Sequence, residues 1–333
     1  MKRSILKRIL PVMMALLLFL AAGCGKSPIK EAAEEVAAQE PVVIGTEPQT
    51  DASTVDHSSL YAVDGTTESS DNESYASDTA NVNTVLVQNA GVLAMTSADI
   101  NKTGDSAGDL SGGQNAAVAV LTRGQMTLNG SNITTNAIGA FGMFAAGNDS
   151  TLILSGTSVY TSGDSSPALA LRDGAIAILT GSSLSTEGMD SPALLLSGGS
   201  LTLSAVTLSA KGGELLRILA GENELTLDNV LIPSTSIFGE EATLILRLTN
   251  GSSFGGALGS TLPARASVYL DASSKLILTA ETYLSAFVNA DLTHANIESN
   301  GFNLYYDSEA ADNAYLESQS FMLPGGGFLA PII

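Results

Sequence analysis

Cysteine occurs once in the 333 residues, at position 24, and histidine only at His57 and His294. That scarcity removes several chemistries. A lone thiol makes no intrachain disulfide framework and no cysteine-rich zinc site. Two distant histidines leave no Ser/His/Asp or Cys/His set. The remaining reactive groups are carboxylates and a few cations: 34 Asp and Glu stand against 14 Lys and Arg, a net charge of −20. Three aspartates sit beside glycines, in Gly104-Asp105, Gly163-Asp164 and Gly188-Met189-Asp190. Carboxylates stacked on one corner would offer oxygen ligands to calcium, so Asp105, Asp164 and Asp190 are candidate metal ligands. The plainer account is turn chemistry on a solvated edge. The cations beyond residue 100, among them Arg123, Arg172, Lys211 and Arg265, are spread along the chain. Phosphate recognition needs clustered Lys and Arg, so nucleic acid is excluded as a partner.

Cys24 has a chemistry of its own. Lys2, Arg3, Lys7 and Arg8 precede an apolar run from Ile9 to Ala22. Charge and length read as a secretory signal peptide over 1–23, too short for a spanning helix. Ala21, Ala22 and Gly23 directly before Cys24 form a lipobox-like end, with Ala21 where Leu is usual. Cleavage there would leave Cys24 to carry a lipid. This predicts an extracytoplasmic protein, lipid-anchored on the outer face of a bacterial cell membrane. Residues 24–59, with Pro28, Pro41, Pro48 and scattered polar residues, read as a flexible tether. The folded part is then 60–333.

The elements that position everything else are repeats. Ser166-Pro167-Ala168-Leu169-Ala170-Leu171 returns as Ser191-Pro192-Ala193-Leu194-Leu195-Leu196. Apolar pairs recur as Met95/Ile100, Leu128/Ile133, Leu154/Val159, Leu179/Leu184, Leu203/Leu208 and Leu227/Ile232, then Leu248/Phe254 and Leu270/Leu276. Between them lie β-rich runs, Gly turns such as Arg172-Asp173-Gly174, and polar corners such as Asn129-Gly130-Ser131 and Thr180-Gly181-Ser182. Period-two alternation puts Leu, Ile and Val inside and Ser and Thr outside. Three strands and three corners in roughly 24 residues make one coil of a parallel β-helix. The fold expected is all-β: a solenoid of about eight coils, right-handed by the crossover rule. Residues 60–83 are expected to cap its N-terminal end. The apolar tail from Phe321 to Ile333 is expected to cover its last coil.

Several segments resemble a known group. They are Tyr61-Ala62-Val63-Asp64-Gly65-Thr66, Lys102-Thr103-Gly104-Asp105-Ser106, Asn250-Gly251-Ser252-Ser253-Phe254, Leu270-Asp271-Ala272-Ser273-Ser274, Ser299-Asn300-Gly301-Phe302 and Leu304-Tyr305-Tyr306-Asp307. Over roughly 60–310 the chain resembles secreted or lipid-anchored right-handed β-helix proteins of Gram-positive anaerobes, within the pectin-lyase-like superfamily. Lys275 departs from that pattern, which often has Trp there. The resemblance implies a surface location and an adhesin-like or carbohydrate-binding role. Some members bind plant polysaccharides with calcium.

Three functions are compatible with these residues. The first is a non-catalytic binding or adhesion module, whose repeated hydroxyls and amides suit an extended polysaccharide. Tyr160, Tyr269 and Tyr283 are available for stacking, in a chain with only 5% aromatic residues. The second is a polysaccharide lyase or hydrolase on the same fold. A lyase resembling this superfamily needs a basic residue beside calcium-holding carboxylates, and a hydrolase an acid and base carboxylate pair. The third is a spacer without a small ligand. The scattered cations and isolated histidines favour the first, with no enzymatic activity.

Overall fold

The computed structural model describes residues 56–106, 112–233, 236–259 and 262–332. The expected signal peptide, Cys24 and the expected tether up to residue 55 lie outside these described residues. The described residues fall within one compact unit, Thr50–Ile333. Apart from a short 3-10 helix at Ala311–Leu316, its regular structure is β. The strands wind into a parallel solenoid of about 11 turns with about 24 residues each.

The count is therefore higher than eight, and the additions lie at both ends. Ser58–Asp64, Thr67–Asp71 and Ser74–Ser77 make a full first turn. They pair in parallel with Val82–Gln88, Val92–Thr96 and Asp99–Lys102 of the second. Residues 60–83 are thus mostly a coil and not a separate cap. Their positions aligned with the core carry Tyr61, Glu68, Ser70 and Tyr75, which hides the aliphatic signature. At the far end Thr282–Asn289 and Leu304–Tyr306 belong to further turns. There Asn289 stands in register with Leu270, where the repeat calls for an aliphatic residue. The tail does cover the last turn. Phe328–Pro331 pairs with Leu304–Tyr306 on one side and with Phe321–Met322 on the other.

The recurrent apolar residues stack as the period requires. Met95, Leu128, Leu154, Leu179, Leu203, Leu227, Leu248 and Leu270 occupy one continuous register. All are buried. Ile100, Ile133, Val159, Leu184 and Leu208 form a second column in a six-stranded sheet. Ile232, Phe254, Leu276 and Ile297 form a third in a four-stranded sheet. One coil cannot hide such a stripe from water, whereas stacked coils share it. Each fully buried Leu or Ile contributes about 1.5–3 kcal/mol. In the middle turns the first two strands fuse into long ones, such as Leu169–Thr180 and Leu216–Asp228, which bend at bulges.

Candidate binding face

Polar residues of this chain have two fates, and the distinction defines the exposed surface. Ser131, Thr157 and Ser182 each follow a corner glycine and were expected to face outward. They are buried instead. Ser131 Oγ accepts the Ala98 N–H at 3.1 Å, and Ser182 Oγ accepts that of Thr157 at 3.1 Å. Ser182 Oγ also donates to the Thr180 carbonyl at 3.1 Å. The corner thus closes inward on a hydroxyl column, because a corner amide removed from water needs a partner. Ser166 and Ser191 do the same at another corner, where Ser191 Oγ accepts the Ser166 N–H at 2.9 Å. Their sequence signal was the Ser-Pro-Ala-Leu repeat itself.

The outward polar residues gather on the six-stranded sheet. Its strands are four to seven residues long and alternate, apart from the end of Thr207–Gly212. Apolar residues point in at the central position, so the flanking ones point out. Register sets Ser74, Asp99, Asn132, Ser158, Ser183 and Thr207 in one exposed column. Two residues along each strand lie Ala76, Asn101, Thr134, Tyr160, Ser185 and Ser209. Successive members of a column are ~4.8 Å apart. Hydroxyls and amides dominate both columns. Some interact along the column: Asn132 Nδ2 donates to Asp99 Oδ1 at 3.0 Å, and Ser183 Oγ to Ser158 Oγ at 3.3 Å.

Tyr160 lies within this face. Its hydroxyl bonds Glu187, which raises the phenol's pKa. Glu187 is held below the usual carboxylate range by Lys211 first and by Tyr160 second. The Lys211–Glu187 ion pair is solvent-exposed, so it orients the side chains more than it stabilises the fold.

The acidic corner is arranged differently from a calcium site. Asp105 and Asp164 do share a corner with Asp190, but apolar residues alternate with them from turn to turn. Asp105 Oδ1 accepts the Ile138 N–H, and Asp164 Oδ1 the Met189 N–H, each at 2.8 Å. Met189, not Asp190, is therefore the neighbour of Asp164. Asp190 is paired with Arg217 at 2.7 Å. Among the described residues no group of three or more His, Cys, Asp or Glu could hold a metal ion.

The other singled-out residues are placed apart. His57 belongs to the folded unit rather than the tether, with Nδ1 at 3.3 Å from Asn83 Nδ2. His294 is buried, its ring edge-on to Phe321 and its Nδ1 3.3 Å from Asn289 Nδ2. Desolvation lowers the pKa of both. Arg172 forms an ion pair with Asp173 at 3.5 Å in its turn. Tyr269 lies under the Arg247 guanidinium at 4.3 Å and bonds Asp312. Tyr283 stacks on Tyr305 one turn on, with centroids 4.8 Å apart.

Two features escaped the alternation rule. Lys102 is fully buried, and its Nζ donates to the carbonyls of Thr79 and Gly104 at 2.8 and 3.1 Å. Burial pushes its pKa down. Sequence gives no sign of this, since a lysine at an inward register position looks like any surface cation. The second feature is an apolar cluster on the outer side of the sheet, including Leu86, Leu121, Phe141 and Phe144. Gly113 packs on Phe144: a Cβ there would overlap the ring. The uninterrupted run Ala116–Leu121 was the available signal, because a strand buried on both faces loses its alternation.

Comparison with known proteins finds no matching family model, no matching curated protein and no matching solved structure.

Proposed function

We propose that this chain is a cell-surface lipoprotein, anchored through Cys24 to the outer face of the bacterial membrane, that binds an extended polysaccharide without catalysing its cleavage. One observation carries the reading: six consecutive turns present two outward columns dominated by hydroxyls and amides, one exposed throughout and the other, with Tyr160 in it, exposed or half-buried. Such a face can exchange hydrogen bonds with a polymer laid along the solenoid axis, one set per turn, while Tyr160 supplies a ring to stack on a sugar. The carboxylates on the face are already committed, Asp99 to Asn132 and Glu187 to Lys211. That favours binding over acid–base chemistry. The resemblance to secreted and lipid-anchored β-helix proteins of the pectin-lyase-like superfamily points the same way. A glycan array probed with residues 50–333 tests it. Retention on polysaccharide spots, lost in Tyr160→Ala, is the expected outcome. Absence of retention on every glycan removes the reading.

A further inference from the structure

The face on the six-stranded sheet restricts the charge of what it can hold. Of the outward positions on its strands, only Asp99, Glu187 and Lys211 are charged. All three are engaged within the protein: Asp99 with Asn132, and Glu187 with Lys211 and Tyr160. Other cations of these turns are engaged or face elsewhere. Lys102 points inward and donates to main-chain carbonyls. Arg172 pairs with Asp173, and Arg217 with Asp190 and Glu214. Arg123 sits in the turn between Ala116–Leu121 and Gln125–Asn129, on the 17-stranded sheet.

The rim of the face is acidic. Glu73 and Asp78 flank Ser74–Ser77, Asp105 follows Asp99–Lys102, and Asp164 follows Ser158–Thr161. Among the described residues no carboxylates are grouped so as to hold a bridging metal ion. The whole chain carries a net charge of −20. An anionic polymer therefore meets repulsion at the rim and, among the described residues, no uncommitted cation on the face. The neutral groups fit a different ligand. A Ser or Thr hydroxyl both donates and accepts, as a sugar hydroxyl does, whereas a carboxylate only accepts. Ser158, Ser183 and Thr207 stand in successive turns of the exposed column, and Ser185 and Ser209 in the other. Each turn, ~4.8 Å on, repeats these two-way groups.

Resting on the binding reading above, we infer that the polymer taken by this face is an uncharged polysaccharide, without uronic-acid, phosphate or amine groups. Hydrogen bonds and ring stacking hold it, so salt has little effect on its affinity.

The glycan array probed with residues 50–333, its spots sorted into neutral, uronic-acid, phosphate-bearing and amino-sugar polymers, tests this. Retention confined to neutral polymers is expected. Their affinity should change by less than about twofold as salt rises from about 0.01 M to about 1 M and the screening length falls from ~30 Å to ~3 Å. A charged polymer held as tightly as any neutral one leaves the binding reading standing and overturns this inference. So does a larger salt effect on the neutral polymer. Retention of nothing removes the binding reading, and this inference with it. Ser158→Lys together with Ser183→Lys places ammonium groups in the exposed column and spares the interior. With melting unchanged, this variant should hold the uronic-acid polymer at least about tenfold more tightly than the unaltered protein at about 0.01 M salt, and lose the gain at about 1 M. No gain in the folded variant also overturns the inference, because charge then does not decide what the face accepts.

Discussion

Ser182 and Ser183 are adjacent, identical in type and opposite in fate, so they make a matched test of the corner. Ser182 is buried, and its Oγ accepts the Thr157 amide and donates to Thr180 O. Ser183 is exposed, with only a long hydroxyl contact to Ser158 at 3.3 Å. Ser182→Ala strands a buried N–H, which costs about 1–3 kcal/mol. Ser183→Ala should stay within about 0.5 kcal/mol. For a unit of this size 1 kcal/mol moves Tm by roughly 2 °C, so Ser182→Ala should melt roughly 2–6 °C lower. Urea titration by circular dichroism gives the difference in stability. Hydrogen exchange at the Thr157 amide gives its origin, because that N–H should lose protection in Ser182→Ala and keep it in Ser183→Ala. Equal midpoints for the two variants, or unchanged protection at Thr157, would refute the inward hydroxyl column.

Leu179 lies between Leu154 and Leu203 with no exposed surface. Leu179→Ala should cost about 3–5 kcal/mol, and Leu179→Asp should leave little folded protein, as read from denaturation midpoints. Cys24→Ala should abolish fatty-acid labelling and release the protein from the membrane fraction; persistent labelling contradicts the anchor. His294 has a folded-state pKa below its ordinary value through burial. Protons then bind the unfolded chain first, so its contribution to stability is intact above about pH 6.5 and declines as pH falls through that value. The Tm advantage of the parent over His294→Gln should shrink between about pH 7.5 and about pH 5.5; a constant difference contradicts the assigned burial.

The central turns were legible because their signal is local and repeated. Leu154, Leu179 and Leu203 recur at nearly constant spacing, and the period alone places them in one column. The end turns were not, because Tyr61, Glu68 and Asn289 stand where the repeat calls for aliphatics. A solenoid must change composition where it meets water, so the period fades there by necessity. Ser182 was expected outside, and the burial of Lys102 went unread, for another reason. Residue type says that a hydroxyl or an ammonium prefers water, but a tight corner leaves main-chain groups that need partners inside. The aspartate corner was found, yet its contacts were not, since whether Asp164 meets Met189 or Asp190 depends on a one-residue offset. The face around Tyr160 was foreseen as a repeated hydroxyl surface. Which strands carry it, and that Glu187 and Lys211 flank the tyrosine, required the register.

The measurement closest to the central claim is the affinity of residues 50–333 for the polysaccharide that the array retains, compared with a variant carrying Ser158→Glu and Ser183→Glu. Both substitutions lie on the exposed column beside Tyr160 and spare the interior. Thermal melting unchanged within a few degrees, with affinity reduced at least tenfold (about 1.4 kcal/mol), is the expected result. Equal affinity for the two proteins would contradict binding along this face.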